Sequence, residues 1–248
     1  MSYMSPFQPI VTPTIREQFV ERIADSILSG RLAPGDRLPT EREIAEEMRI
    51  SKGIVHLGLK DLERMGFIET NPRHGTFVSD YARNGNLETL TMMLKYNGGQ
   101  LDRRNTESLF EFRLAVEGTA FRKLAERCTE EDLNALREIK DRVRAISLEE
   151  PFDLSKMAYW MFRFHSELTI RSGNTILPLL TNAFRDLSLS VWENVIRIYG
   201  KEESVRHLER FIAFMRSGDG DGAVQYLQDG IDFYLSKLPE LKGYQRIQ

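Results

Sequence analysis

Long apolar runs, cysteines and catalytic signatures are what this sequence has least of. It holds no uninterrupted apolar stretch of about 18 residues, so no transmembrane helix and no membrane partner are expected, and its first residues lack the charged-then-apolar pattern of a secretory signal. A single cysteine, Cys128, excludes an intrachain disulfide and suits a reducing compartment, so the expected location is cytoplasmic. No glycine-rich phosphate loop, nucleophile elbow or Ser-His-Asp set occurs, and an enzyme is not expected. Asp219-Gly220-Asp221-Gly222 imitates the opening of a calcium loop, but its twelfth position is Gly230, which carries no carboxylate, so it reads as a turn and helix start. A formal net charge of −3 argues against both a nucleic-acid sponge and an acidic tail.

What the chain does have is concentrated over residues 34–78. Thr40 followed by Glu43 is a capping box, so a helix should start at Glu41, with Ile44, Ala45 and Met48 as its apolar stripe. Arg49-Ile50-Ser51 reads as a turn whose serine caps a second helix. That helix turns Ile54, Val55, Leu59, Leu62 and Met65 inward and leaves Lys52, Gly53, His56 and Lys60 on the other face. Phe67-Ile68-Glu69-Thr70 and Thr76-Phe77-Val78 read as two short strands around a tip at 71–75. Helix, tight turn, helix and hairpin in this order predict a winged helix-turn-helix that binds double-stranded DNA. Residues 1–80 hold ten Lys/Arg against twelve Asp/Glu, so any DNA face must be a local patch. Arg37, Arg42, Lys52, His56, Arg73 and His74 are expected to form it, with Glu46, Glu47, Asp61 and Glu63 turned away. The alternative is the same fold used for protein contacts alone.

Beyond residue 80 the strand signal disappears. Residues 1–13, with prolines at 6, 9 and 13, read as a flexible arm, 14–80 as the DNA-binding domain, 81–86 as a linker, 87–238 as a helical domain and 239–248 as a tail. Helices are expected near 87–96, 104–127, 129–146, 151–171, 175–198, 202–217 and 220–237, with stops at Asn97-Gly98-Gly99 and Pro239. The fold class is thus mostly α: a winged helix-turn-helix followed by an antiparallel bundle of about seven helices. Within the bundle Arg113 sits in an otherwise apolar helix and needs a counter-charge. Either Glu117, one turn on, or the carboxylate or phosphate of an effector supplies it. Trp160, Phe164, Phe184, Trp192 and Tyr199 are candidate walls of an effector pocket. His165 is a candidate member, or else a core histidine bonded to a neighbour, and His207 reads as a rim residue.

The first region closely resembles the GntR family of bacterial transcription regulators. The resemblance rests on Ile27-Leu28-Ser29-Gly30, Pro34-Gly35-Asp36-Arg37-Leu38-Pro39, Thr40 through Ala45, Ser51-Lys52, Leu62 through Ile68 and Gly75 through Val78. Carried over by position, it implies DNA contacts from Arg42, Ser51, Lys52, Gly53, His56, His74 and Gly75. His56-Leu57 stands where the family usually has Arg-Glu, so operator preferences are not transferable. The second region resembles the helical effector domain of the FadR-type branch through Leu109 to Arg113 with Glu117, Phe164 to Leu168, Ser172-Gly173-Asn174 and Gly218-Asp219. Many members hold a divalent metal there with one aspartate and three histidines. Alignment puts Met161, His165, Leu208 and Gly230 at those positions, so no metal and no other cofactor is expected. The reading as a whole implies a homodimeric, effector-responsive repressor on a palindromic operator, with a small anion as effector. A fatty acyl-CoA or lipid-like acid effector, and an effector-free dimer with a filled bundle, are the alternatives.

Overall fold

The computed structural model describes residues 13–96 and 103–237. The arm before residue 13, the Asn97-Gly98-Gly99 stop, the Pro239 stop and the tail lie outside the described residues. The chain forms two compact units, divided within the interval between 96 and 103.

The first unit comprises α1 (Ile15–Leu28), α2 (Glu41–Met48), α3 (Lys52–Arg64), β1 (Ile68–Asn71), β2 (Gly75–Val78), the single turn α4 (Tyr81–Asn84) and α5 (Leu87–Tyr96). Thr14 and Thr40 each close a capping box, with Glu17 and Glu43, satisfying the first amides of α1 and α2. Arg49 leaves α2 with a left-handed φ of 54°, and the Ser51 hydroxyl accepts the Ile54 amide at 3.3 Å to start α3. Phe19, Ile44, Val55, Leu62, Phe67 and Ile68 close the core beneath the turn. A Cβ at Gly58 would stand 2.3 Å from Phe19 Cδ1, so α1 crosses α3 this closely only because position 58 is glycine. The two strands pair antiparallel with Asn71 opposite Gly75, leaving residues 72–74 as the wing tip.

The first unit extends further than sequence periodicity indicates. The helix at 87–96, grouped above with the bundle, packs along α1 instead. Asn86 Nδ2 donates to the Arg64 carbonyl at 2.8 Å and the Thr89 hydroxyl to that of Met65, so the chain is bonded back onto the end of α3.

The second unit is a bundle of α6 (Arg103–Ala125), α7 (Glu130–Ser147), α8 (Leu154–Arg171), α9 (Leu177–Ala183), α10 (Arg185–Tyr199), α11 (Lys201–Ser217) and α12 (Gly220–Lys237). Two boundaries differ from the sequence reading. The helix expected from 151 starts at Leu154, because the Asp153 carboxylate, not Pro151, takes the first-turn amide of Lys156 at 2.9 Å. The single helix expected over 175–198 breaks at Phe184, whose backbone leaves the helical region while its ring packs 4.6 Å from Phe112. Phe121, Leu136, Met157, Met161, Leu208 and Phe211 are among the fully buried side chains around which α6, α7, α8 and α11 close.

Candidate functional site

Each unit carries its own candidate site. On the first, α3 exposes Lys52, Gly53, His56, Leu57 and Lys60 and buries Val55, Gly58, Leu59 and Leu62, as a helix with about 3.6 residues per turn requires of an amphipathic stripe. His56 Nδ1 lies 2.7 Å from Glu41 Oε1, which ties this face to the start of α2. Arg42, one residue on, is exposed and pairs with Glu46 at 2.9 Å. Glu46 therefore lies beside the proposed basic patch and not away from it, because residues four apart share a helix face. Asp61 is engaged elsewhere, by Arg16 at 2.6 Å, whereas Glu63 pairs at 2.7 Å with Lys60 of the exposed α3 face. Arg37 bridges to Phe77 and lies against Gly75, so it stands at the base of the wing. Arg73 and His74 are exposed at its tip. Ser51 is spent on capping α3, and its hydroxyl is a structural group first.

The second site is a cavity of about 220 Å³ in the helical bundle, lined among others by Arg113, Met161, Trp192, Tyr199, His207 and Tyr226. Arg113 takes Glu117, the first of the two counter-charges raised by the sequence, and it also borders the cavity. Its Nε donates to Glu117 Oε1 at 2.6 Å and its Nη2 reaches Oε2 at 3.3 Å, while the guanidinium stacks 4.7 Å above the Trp192 ring and borders the cavity. Burial alone would push the Glu117 carboxyl up. The adjacent Arg113 and His165 outweigh it and hold the group down at about 2, so it is a carboxylate throughout the physiological range.

That carboxylate orders a chain of hydrogen bonds across four helices. His165 Nδ1 lies 2.8 Å from Glu117 Oε2, and since a carboxylate only accepts, Nδ1 carries the hydrogen. His165 Nε2 is then an acceptor, and it receives the Nε2 hydrogen of His207 at 3.3 Å. His207 Nδ1 in turn accepts the Tyr226 hydroxyl at 3.2 Å, and Arg210 Nη1 donates to the Tyr226 oxygen at 3.4 Å. Desolvation lowers the pKa of both imidazoles, well below the ordinary value for His207, where His165 and Arg113 add to the effect. Above these lowered pKa values both rings are neutral, and the hydrogen bonds select one tautomer for each.

Three sequence expectations change here. Trp160 does not line the cavity: it packs against Tyr159 and under Arg142, 5.2 Å from its ring. One residue is a rotation of about 100° on a helix, and Met161, not Trp160, points inward to the cavity. Phe164 is fully buried in the core and also absent from the lining. His165 is buried behind His207 and touches the cavity-lining residues His207, Arg113 and Trp192 without itself lining the cavity. Of the candidates, Arg113, Trp192 and Tyr199 border the cavity, with the Tyr199 hydroxyl donating to the Gly230 carbonyl at 3.1 Å. Phe184 lines a smaller adjoining pocket of about 30 Å³. His207, Tyr226 and Arg210 were missed as pocket residues. Alignment to the family's metal position picked out Leu208, which is fully buried, and His207, one place off it, is the residue that reaches the cavity.

The same shift bears on the metal position. The ring that meets His165 is His207, where alignment placed Leu208. Two imidazole nitrogens with Met161 and Gly230 still fall short of the three or four donors a zinc-type site gathers. Among the described residues no cluster of three His, Cys, Asp or Glu is poised for a metal. The residues present do not fit the aspartate–histidine metal set.

Compared with known proteins, residues 15–78 match the family described as bacterial regulatory proteins, gntR family, and residues 108–233 match the FCD domain. The HTH-type transcriptional regulator Mce2R of Mycobacterium tuberculosis is 31% identical over 93% of this chain and 94% of its own length. LutR of Bacillus subtilis, also an HTH-type transcriptional regulator, is 28% identical over 78% of this chain and 87% of its own. A solved structure described as Lar, which controls expression of the Listeria monocytogenes agr system, superposes with a TM-score of 0.60 at 16% identity, covering 94% of this chain and 100% of that one, a likeness of fold. No helix among the described residues is long and apolar enough to cross a membrane.

Proposed function

This chain belongs to the GntR family of bacterial regulatory proteins, a transcription regulator with a DNA-binding GntR domain and an effector-binding FCD domain, and on that premise we propose that it is a repressor released from its operator by a small anion. The observation that carries the effector reading is the cavity bordered by the Arg113 guanidinium, the Trp192 ring and the Tyr226 hydroxyl. A planar guanidinium stacked on an indole is a ready partner for a carboxylate or phosphate. Its volume, about 220 Å³, favours a compact organic acid over a long acyl thioester, since sites for drug-sized ligands run to roughly 300–1,000 Å³. A cavity of this size, partly open to solvent, also speaks against a filled, effector-free bundle.

The DNA-reading surface is proposed as Arg37, Arg42, Lys52, Gly53 and His56 with Arg73, His74 and Gly75 of the wing, acting from a cytoplasmic homodimer on a palindromic site. Ligand binding changes DNA affinity only to the extent that the anion binds the released state more tightly than the DNA-bound one. Selection of random duplexes by the purified protein would define the operator. A thermal-shift screen of short organic and sugar acids, with acyl thioesters as a contrast set, would then identify the effector class. Release of the selected duplex by a stabilising acid supports the proposal, and stabilisation by acyl thioesters alone refutes the small-anion reading.

A further inference from the structure

We propose that Leu57 is a specificity-determining residue of the DNA-binding domain, reading the 5-methyl group of a thymine in the major groove beside a base contact from His56. The inference rests on the reading of α3 as the helix that enters the groove. Within α3 the exposed stripe is Lys52, Gly53, His56, Leu57 and Lys60, and Leu57 is its one large apolar member, 48% exposed. It contributes nothing to the core, which Val55, Leu59 and Leu62 already close from the opposite face. The major groove presents one apolar group on the base edges, the thymine methyl, and everything else there is a donor or an acceptor. A leucine flanked by two lysines, an imidazole and a glycine is matched to that group and to phosphates on either side.

Two neighbouring features point the same way. Gly53 lies one turn before Leu57 on the same stripe, and a Cβ there would meet only the Ser51 hydroxyl, at 4.0 Å. The fold has no steric need for glycine at this position, and in a helix it costs about 1 kcal/mol relative to alanine. Its missing side chain lets the start of α3 approach a base edge closely, which brings Leu57 within contact range. His56 is held by its Nδ1 contact to Glu41 at 2.7 Å. The carboxylate orders the ring, and Nε2 is the nitrogen left for a base edge next to the thymine.

The test uses the full chain. Random duplexes are selected with the natural protein and with Leu57→Ala, and each thymine of the natural consensus is then replaced by deoxyuridine, which differs only in lacking the methyl. The expected result is one thymine per half-site whose replacement weakens binding by about fourfold, the ratio that loss of one buried methyl group corresponds to. Leu57→Ala should bind the thymine and deoxyuridine duplexes equally and lose its preference at that position alone, with an unchanged melting temperature because the side chain is outside the core. A Leu57→Ala consensus identical to the natural one with the deoxyuridine penalty intact, or a natural protein indifferent to deoxyuridine everywhere, overturns the assignment while leaving DNA reading by α3 standing. Failure of the natural protein to enrich any sequence refutes both the assignment and the DNA-reading surface on which it rests.

Discussion

His165 and His207 meet through their Nε2 atoms at 3.3 Å, and one hydrogen has to lie between them. Since the Glu117 carboxylate fixes the single ring hydrogen of His165 on Nδ1, the hydrogen between the rings belongs to His207, and the tautomer of each ring follows from one buried charge. The cavity wall is thereby set by a group that does not itself reach the cavity. A proton added to His207 would have to sit on Nδ1, where the Tyr226 hydroxyl now donates.

This makes bundle stability depend on pH in a defined direction. Both histidines have pKa values lowered from 6.5 by burial, so between their folded values and 6.5 the unfolded chain binds more protons. The stabilisation is therefore complete above 6.5 and is lost progressively as pH falls from that value through the folded ones. Glu117, held at about 2 against an ordinary 4.5, acts in the same sense but only below about 4.5. Melting temperature should fall between about pH 7.5 and about pH 5.5 in the natural protein and more shallowly in His207→Gln. A flat profile over that range would contradict the neutral buried pair.

Removing Glu117 should be costly. Glu117→Ala leaves Arg113 and His165 facing each other without a counter-charge in a site where the arginine side chain is only 16% exposed. Loss of one partner from a buried pair costs roughly 3–5 kcal/mol. Denaturant unfolding followed through the tryptophans, Trp160 and Trp192, both of which lie in the bundle, measures it directly. A loss below about 1 kcal/mol, the value of an exposed pair, would show that solvent reaches this site.

Tyr226→Phe tests the far end of the chain of bonds. It removes the hydroxyl that donates to His207 Nδ1 while retaining the ring packing against His207 and Phe211. The expected stability loss is about 1 kcal/mol, the net worth of one hydrogen bond. The His207 pKa should rise, because the neutral ring loses its donor. NMR titration of the imidazole resonances reads this shift, and an unchanged His207 pKa would remove Tyr226 from the network.

On the DNA side, Arg42→Ala should weaken binding to a selected duplex by about 1–3 kcal/mol if the side chain exchanges Glu46 for a base edge, with relaxed preference at one position. Lys52→Ala should weaken all duplexes alike and reduce the salt dependence by about one phosphate contact. Gel-shift titrations at several salt concentrations separate the two, and unchanged affinity in both variants would dismiss this face.

The protein as purified should carry no stoichiometric divalent metal, since His165 and His207 are two donors where three or four are needed. Elemental analysis yielding about one zinc, nickel or manganese per chain, or a chelator-induced drop in melting temperature, would mean that donors beyond these two converge on the cavity.

Local patterns by themselves determined the winged helix-turn-helix, its capping boxes and turn, the helical character of the second unit and the family resemblance. Each depends on residues within a few positions of one another, where hydrogen-bond geometry and the 3.6-residue period act directly. The tertiary structure decided what periodicity could not resolve. It divided the helix at 175–198 at Phe184 because a ring on another helix, Phe112, anchors it there. It joined α5 to the first unit through bonds to the carbonyls of Arg64 and Met65, more than twenty residues away. It placed Met161 and His207 at the cavity and moved Trp160 and Phe164 off it, since an apolar stripe defines an inward face only to within about one residue, and one residue is enough to exchange core for cavity. And it gave Arg113 one of the two partners the sequence had offered, Glu117, while setting its guanidinium over Trp192 at the edge of the cavity, because a guanidinium has several donors and Glu117 occupies only one edge of it.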